Sequence, residues 1–274
     1  MLLLSSLAFF TALATANPLE SRQSCGTYTV PSVPGGFTTR KFIDFSTATA
    51  GQNTQTVLAN QGLYISDWPI PDPGFIPHTF TPNNVNLVNG ALSLKVSAYS
   101  GSGNVISSEI FTDEDIRYAS VRTVLKSSGV PGVCEGMFFY KDGQGEIDLE
   151  ILTSTTLTSS PKVAAGFWTT NHNLTNGDKV SSVHPFGFDP SAGFHEYRVD
   201  WSPTATRYYV DGTYIGQLTS LIPQITGSWL WNAWSNGDDG WSAGPPTTDS
   251  TTLIRSIEIY KDYVTTTTGT VCPV

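Results

Sequence analysis

Three carboxylates stand at alternate positions in the segment GEIDLEIL, residues 145–152: Glu146, Asp148 and Glu150. Apolar residues fill the positions between them, although only 14% of the chain is charged. Side chains two residues apart share one face of a β-strand. The alternation therefore predicts a strand with an apolar face toward a core and the three acids on the opposite face. Because like charges on one face repel each other, this grouping indicates a functional site.

Two carboxyl groups that flank a glycosidic bond are the usual means of cutting it. The Cα atoms of Glu146 and Glu150 are expected about 13 Å apart on an extended strand. Side chains that lean together then bring their carboxyl groups to about 5–6 Å. Retaining enzymes hold the pair about 5–5.5 Å apart and inverting enzymes about 6.5–9.5 Å apart. The spacing favours retention, with one Glu as the nucleophile and the other as the general acid/base.

Asp148 lies between the two Glu residues on the same face. Three adjacent carboxylates do not all ionise easily, so at least one pKa is expected to be raised. A protonated Asp148 would donate a hydrogen bond to the nucleophile and tune it. Two other uses of the acids stay open, a solvated strand face and a calcium site. Since acids on one straight strand form a compact oxygen cage poorly, no metal is expected there.

Strand patterns are dense along the chain, and helix-period patterns are scarce. Two hairpins are predicted, one over residues 136–151 and one over residues 207–218 with Asp211-Gly212 at its turn. Many strands, no repeat and no long linker predict an all-β fold, a β-sandwich jelly roll, formed as a single domain by residues 23–274. Further strands are predicted over 91–99, 120–126, 195–201 and 253–264.

The N-terminal segment indicates export. Residues 1–16 are mostly apolar, carry no charged side chain and end in Ala-Thr-Ala, which is typical of a secretory signal peptide. Residues 17–22 are consistent with a propeptide that ends at Arg22. The apolar run is short for a membrane span. We expect a secreted, extracellular protein, and the sequon at Asn173 is then a candidate glycosylation site.

The net charge of −9 argues against nucleic acid and anionic membranes as partners. Glu20 and Arg22 would leave together, so processing keeps this charge. Aromatic residues make up 12% of the chain, with seven Trp, and flat aromatic faces are the surfaces on which sugar rings stack. Most of these rings are nevertheless expected in the core of the sandwich. A neutral partner suits this composition, and we expect a monomer.

Three cysteines leave one without a partner inside the chain. Cys134 lies in an apolar strand pattern, where a buried free thiol is chemically quiet. Cys25 and Cys272 stand near the two ends of the predicted domain, and domain ends are often close together. We therefore predict a Cys25–Cys272 disulfide and a free Cys134.

The E-x-D-x-E strand resembles the active site of glycoside hydrolase family 16, the β-glucanase jelly rolls. Residues 187–212 are similar to the stretch that follows the active site in its licheninase-like members. Residues 231–241, WNAWSNGDDGW, resemble their Asn- and Trp-bearing cleft segment. The resemblance covers roughly residues 90–264.

Position by position, the resemblance implies Glu146 as the nucleophile, Asp148 as the assisting carboxylate and Glu150 as the general acid/base. His195 also matches a family position, and packing or hydrogen bonding is its expected role. The resemblance implies four substrate-binding residues: Glu109, Asn232, Trp234 and Trp241.

Two positions depart from the licheninases. Phe111 stands where they carry an Arg, and Gly145 stands where they carry a Trp. Laminarinase-like members have an extra residue between the Asp and the second Glu, whereas here Leu149 alone separates them. The bulge-free form resembles licheninases, xyloglucan-active enzymes and fungal wall transglycosylases.

These features together predict a secreted retaining endo-β-glucanase that acts on a mixed-linkage β-1,3-1,4-glucan or a related cell-wall glucan. A cell-wall transglycosylase, which passes the glycosyl group to a sugar, is the alternative within the family. A non-catalytic glycan-binding lectin on the same sandwich is disfavoured, because a binding module would gain little from three crowded acids. No cofactor is expected. A structural calcium ion is common in the family, but the sequence assigns it no position.

Overall fold

The computed structural model describes residues 25–31 and 33–274. The predicted signal peptide, residues 1–16, and the predicted propeptide, residues 17–22, lie outside the described residues. The described chain is almost entirely β-structure. Its strands are β1 (Thr27–Thr29), β2 (Gly36–Asp44), β3 (Leu63–Ile65), β4 (Pro69–Ile70), β5 (His78–Phe80), β6 (Val85–Val88), β7 (Ala91–Val96), β8 (Val105–Thr112), β9 (Ala119–Lys126), β10 (Cys134–Lys141), β11 (Gly145–Leu152), β12 (Phe167–Asn173), β13 (Asp178–His184), β14 (His195–Trp201), β15 (Thr206–Val210), β16 (Thr213–Leu218), β17 (Ser228–Trp234), β18 (Ser250–Val264) and β19 (Val271–Pro273).

The strands form two sheets, one of ten strands and one of nine. The first has the order β16-β15-β14-β9-β18-β2-β1-β19, with β7 paired to β18 and β6 to β7. The second has the order β13-β12-β11-β10-β17-β8-β5-β4, with β3 also paired to β8. The predicted all-β jelly roll is thereby confirmed.

Helices are short in this fold. Helix α1 (Thr54–Asn60) begins after Asn53, whose side chain accepts a hydrogen bond from the backbone N–H of Thr56. A single 3₁₀ turn spans Pro82–Asn84. No helix in the described part of the chain is long and apolar enough to cross a membrane.

The core lies between the sheets. The apolar residues of β11, at positions 147, 149 and 151, are fully buried there, as the alternation predicts. Three tryptophans, Trp201, Trp229 and Trp231, are among the largest side chains buried with them. The indole Nε1 of Trp231 donates to Oγ1 of Thr123 at 2.8 Å and so links β17 to β9 of the facing sheet. This core holds the nine-stranded sheet in place and leaves its outer face to the acids.

One acid lies inside the sandwich. Glu135, on β10, is 0% exposed. Its Oε1 accepts hydrogen bonds from Oγ1 of Thr252 at 2.5 Å and from the backbone N–H of Ser128 at 2.8 Å. Burial raises the pKa of Glu135 to about 7 despite these hydrogen bonds.

Both predicted hairpins are present. Strands β10 and β11 pair from Lys141 opposite Gly145 through Cys134 opposite Leu152, without a register shift. The second hairpin joins β15 to β16 through Asp211 and Gly212, whose φ angles of 48° and 73° are those that a tight primed turn requires.

The predicted disulfide is also present. Cys25 is bonded to Cys272 with their Cα atoms 5.8 Å apart. Strand β1 runs parallel to β19 in the sheet, and this pairing brings the two cysteines together. Cys134 is a free, fully buried thiol, as expected.

Candidate active site

Strand β11 carries the three acids across the middle of the nine-stranded sheet, between β10 and β12. It pairs with both neighbours without a bulge, so Glu146, Asp148 and Glu150 stay on one face. That face points away from the core. The licheninase-like spacing of the acids is therefore matched by a regular strand.

The acids lie between two cavities. The first, of about 260 Å³, lies over β10, β17 and β8, and the second, of about 560 Å³, lies over β12 and β13. Glu146, Asp148 and Glu150 line both cavities, and no other described residue lines both. A chain-like ligand that fills both cavities therefore crosses the acids at its middle.

The first cavity contains the predicted residues Glu109 and Asn232. Nδ2 of Asn232 donates to Oε2 of Glu109 at 3.1 Å, and the hydroxyl of Ser66 donates to Oε1 at 2.6 Å. Glu109 is only 4% exposed, and burial raises its pKa to about 7 against these two donors. Near neutral pH its carboxyl group is able to donate to a sugar hydroxyl or accept from one.

Trp234 also lines the first cavity. It contacts His78, which is paired with Asp72, and neither of these two residues was singled out from the sequence. The ring of His78 stacks on Trp234 with centroids 5.2 Å apart. Nδ1 of His78 pairs with Oδ2 of Asp72, and Oδ1 of Asp72 accepts from Nδ2 of Asn236. Burial lowers the pKa of His78, although the charge of Asp72 opposes this effect. These contacts fix the orientation of the indole in the cavity wall.

Trp241 lines the second cavity. It makes an edge contact with Trp168, with ring centroids 5.3 Å apart. His172 and Lys179 line the same cavity from β12 and β13. Nε2 of His172 lies 3.4 Å from Oδ2 of Asp148, while burial and the charge of Lys179 lower the pKa of His172. The second cavity thus combines aromatic surface with polar groups.

The acids titrate as one coupled set. Burial, and after it the charges of Glu146 and Glu150, raise the pKa of Asp148 well above its usual range. Asp148 and Glu146 are joined by a hydrogen bond, and the raised pKa of Asp148 favours the form in which Asp148 is the donor. This agrees with the expectation that one of the three acids stays neutral.

Glu146 and Glu150 share the remaining charge. Burial and the charge of Glu150 raise the pKa of Glu146 to about 8, whereas the hydrogen bond from Asp148 lowers it. When Glu150 carries a proton, its repulsion of Glu146 disappears, and the donated hydrogen bond then favours ionised Glu146. The arrangement accommodates one ionised and one protonated Glu, which double displacement requires.

Two donors converge on one oxygen of Glu150. The thiol of Cys134 donates to Oε1 at 3.1 Å, and the indole Nε1 of Trp241 donates to the same oxygen at 3.3 Å. Burial raises the pKa of Glu150, and these two hydrogen bonds, followed by the charge of Lys179, oppose the rise. No donor lies on Oε2 among the residues that the structure describes.

A metal is conceivable at only one place in the described chain. One ligand atom each from Glu146, Asp148 and His172 lie within 4.8 Å of one another. Two of these three residues, Glu146 and Asp148, are also predicted catalytic acids. Among the described residues, no other group of three or more His, Cys, Asp and Glu side chains brings its ligand atoms together in this way, and a structural calcium ion stays a prediction without an assigned position.

The other singled-out residues lie elsewhere. His195 is on the ten-stranded sheet, where Nδ1 pairs with Asp211 at 2.7 Å and its ring stacks on Phe188, as a structural residue would. Phe111 packs against the rings of Tyr64 and Trp68 beyond the first cavity. Asn173 is the last residue of β12, where its side chain accepts a hydrogen bond from the backbone N–H of Thr175 in the following turn, and its glycosylation stays a prediction.

Sequence reasoning missed several residues that shape the site. Cys134 contacts Glu150, although it was expected to be an inert core thiol. A signal for this contact was available, since the hairpin register places Cys134 diagonally across from Glu150. One of the others, Asp72, lies in a loop, and the rest lie on strands β5, β12 and β13: His78, Trp168, His172 and Lys179.

Residues 76–249 match the family model described as Glycosyl hydrolases family 16. A β-glucanase of Paenibacillus macerans is 31% identical over 170 residues, which cover 60% of this chain and 68% of that protein. A β-glucanase of Paenibacillus polymyxa is 29% identical over 170 residues, with 60% and 67% covered. The crystal structure of a β-1,3-1,4-glucanase (lichenase) from a mouse hindgut metagenome superposes with a TM-score of 0.66 at 21% identity, covering 81% of this chain and 99% of that one. At that identity the likeness concerns the fold, whereas the family model spans more than half of the chain, and this protein belongs to glycosyl hydrolases family 16.

Proposed function

We propose that this protein is a retaining endo-β-glucanase that hydrolyses a β-linked glucan, with Glu146, Asp148 and Glu150 as its catalytic residues. The observation that supports this function most is the position of these acids between two cavities, which share no other lining residue. A polysaccharide that occupies both cavities presents an internal bond to the carboxyl groups. Cleavage at internal bonds is the endo mode.

The mechanism follows from the protonation states of the acids. Ionised Glu146 attacks the anomeric carbon while Glu150 protonates the leaving oxygen, and a covalent glycosyl-enzyme forms. Glu150, now ionised, takes a proton from water, and that water displaces Glu146. Asp148 keeps its proton and its hydrogen bond to Glu146, which stabilises the carboxylate when it leaves. No step in this sequence needs a cofactor.

The substrate class is supported by the cavity walls and by the relatives. Trp234 in the first cavity and Trp241 in the second offer aromatic faces on either side of the acids. Asn232 and Glu109 add hydrogen-bonding groups for sugar hydroxyls. The curated relatives carry the name β-glucanase, and one structural neighbour is named a lichenase, so a mixed-linkage β-1,3-1,4-glucan is the substrate we propose to test first.

Product analysis tests this function. The enzyme is incubated with lichenan, laminarin, xyloglucan and chitin oligosaccharides, each with and without an added oligosaccharide acceptor. We expect a rapid fall in lichenan viscosity and a series of short oligosaccharides, whether or not the acceptor is present. Products that appear only as adducts of the acceptor would assign the chain to the transglycosylases. Binding of glucan without any product would assign it to the lectins.

Export to the extracellular space is part of the proposal. The Cys25–Cys272 disulfide supports it, because such bonds persist in oxidising compartments. N-terminal sequencing of the protein from culture medium tests it, and we expect a new N-terminus after residue 16 or 22. Full-length protein retained inside the cell would contradict it.

A further inference from the structure

We propose that the thiol of Cys134 is a positioning residue for Glu150: together with Trp241 it fixes Oε1, so that Oε2 is the oxygen that carries and transfers the catalytic proton. This inference rests on the proposed role of Glu150 as the general acid/base. It concerns a buried group that the mechanism above does not use.

The contact geometry is specific. The sulfur of Cys134 lies 3.1 Å from Oε1 of Glu150, and Nε1 of Trp241 lies 3.3 Å from the same atom. An indole N–H only donates, and a thiol S–H facing a carboxylate oxygen also donates. Both donors remain satisfied when Glu150 is ionised. They also remain satisfied when Glu150 is protonated, provided that the proton is on Oε2 and Oε1 stays an acceptor.

The surroundings of the thiol make this contact its main polar interaction. Cys134 packs in a small apolar cluster with Leu152 and Val163, against the rings of Trp168, Trp234 and Trp241. It is fully buried, and burial raises its pKa, so it stays a thiol and keeps the proton that it donates. A neutral hydrogen-bond donor in this apolar wall shifts the equilibrium between protonated and ionised Glu150 without adding a charge.

The hairpin register explains why a residue at position 134 reaches this oxygen. Gly136 lies directly opposite Glu150 on the neighbouring strand, and it has no side chain. The next side chain on the same face of β10 is that of Cys134, two residues along. Position 136 thus places no side chain between Glu150 and Cys134, and the space that a Cβ atom would take there lies against Oδ1 of Asn232.

The direction of the effect on pH dependence follows from the donor role. A donor to a carboxylate stabilises the ionised form and lowers its pKa. Loss of the thiol should raise the pKa of Glu150, so that the general acid stays protonated to higher pH. Besides Cys134, the hydrogen bond from Trp241 and the charge of Lys179 lower the pKa of Glu150. The other titratable groups that line the cleft are Asp72, His78, Glu109, Glu146, Asp148, His172 and Asp238.

The test compares Cys134→Val, which removes the donor at similar volume, with Cys134→Ser, which keeps a donor. The readout is the basic limb of the pH profile of kcat/KM on a soluble glucan. We expect this limb to move up by about half to one pH unit in Cys134→Val. In Cys134→Ser we expect it to stay closer to the wild-type position. Trp241→Phe should shift the limb in the same direction as Cys134→Val.

Two outcomes overturn the inference: a limb that does not move in Cys134→Val, or an equal shift in the Val and Ser variants, which would reflect packing of the sulfur alone. Cys134→Ala replaces the Val variant if the latter fails to fold.

The Glu150→Gln variant separates this inference from the proposed function. If Glu150 is the general acid, that variant loses far less activity on an aryl β-glycoside with an activated leaving group than on glucan. Equal losses on both substrates would remove the role of Glu150 itself, whereas the expected difference together with an unmoved limb in Cys134→Val would remove only the role of the thiol.

Discussion

The backbone N–H of Gly136 donates to Oδ1 of Asn232 at 3.1 Å, and a Cβ atom at position 136 would lie 2.6 Å from that oxygen. The two residues face each other on β10 and β17, next to Glu150 on β11. The other end of the Asn232 amide holds Glu109. A residue without a side chain is thus required in the floor of the first cavity.

Gly136→Ala should therefore displace Asn232 and, through it, Glu109. We expect kcat/KM on glucan to fall by about tenfold to a hundredfold, because small displacements of positioning groups are costly. The loss of stability should be about 1–3 kcal/mol, as is typical of overpacking. Gly187→Ala is the matched control, since a Cβ atom there meets no atom within 4 Å. Similar kinetics in both variants would show that the close approach at Gly136 has no role in binding.

Glu146→Gln and Glu150→Gln should each lower kcat on glucan by several orders of magnitude, because in the proposed mechanism each removes a group that takes part in bond making. Both variants should fold, since Gln preserves the shape of the side chain. Circular dichroism and thermal unfolding check the fold. Glu196→Gln, on the ten-stranded sheet, is a control that should keep wild-type activity. Substantial turnover by either cleft variant would place the active site elsewhere.

The first product should keep the β configuration. The proposed double displacement inverts the anomeric carbon twice, once through attack by Glu146 and once through attack by water. Proton NMR at early times distinguishes the two anomers at the new reducing end, before they interconvert. A first-formed α anomer would mean that the carboxyl groups are too far apart for a covalent intermediate.

In the Glu146→Ala variant, azide should give an α-glycosyl azide from an activated donor, because the small anion fills the space that the carboxylate left.

Thiol counting checks the cysteine assignment. An aromatic disulfide reagent should react with no thiol in the native protein, because Cys134 is buried. After denaturation without reductant it should react with one thiol per chain. Peptide mapping should link Cys25 to Cys272. Reduction of that bond should destabilise the fold by about 2–4 kcal/mol. A disulfide-linked peptide that contains Cys134 would be incompatible with this pairing.

The buried Glu135 should make stability depend on pH. Its pKa is about 7 in the folded protein, above its ordinary value of 4.5, so its protonation stabilises the fold. That contribution is complete below about pH 4.5 and is lost as the pH rises through about 7. Between pH 4.5 and pH 8 the free energy of unfolding of the wild type should therefore fall further than that of Glu135→Gln, by on the order of 2–3 kcal/mol. Denaturant unfolding at both pH values measures the difference, and parallel pH curves would contradict it.

Much of the fold was predictable because local patterns determine it. Alternation over residues 145–152 reports which face of β11 is buried, and Asp211-Gly212 reports a hairpin turn. The Cys25–Cys272 pairing follows from the tendency of domain ends to meet. Strand order was not predictable in the same way. Pairing of β9 with β18, or of β10 with β17, depends on contacts between segments far apart in the chain.

The same distinction between local patterns and long-range contacts applies to the residues of the site. The acids share one strand, so their common face follows from a period of two residues. His78 and Asp72 reach the first cavity from the β4–β5 region, and Lys179 reaches the second from β13. No local pattern reports which loop or strand edge meets the acids. The contact of Cys134 with Glu150 is partly predictable from the sequence, since the hairpin register implies it once the turn at residues 141–145 is known.

The bond between Cys25 and Cys272 has a sequence separation of 247 residues. Nearly all of the described chain is thus a single covalent ring. A protease that cuts one exposed loop of this ring opens it to a linear chain but releases no fragment, and the two new ends stay tethered at the distance the fold gives them. For the cut chain to refold, the two new ends must return to their native positions. The entropic cost of this step is that of closing one loop, and this cost grows slowly with loop length. We therefore expect a chain that is cut once between Cys25 and Cys272 to keep both pieces in one covalent molecule until the disulfide is reduced.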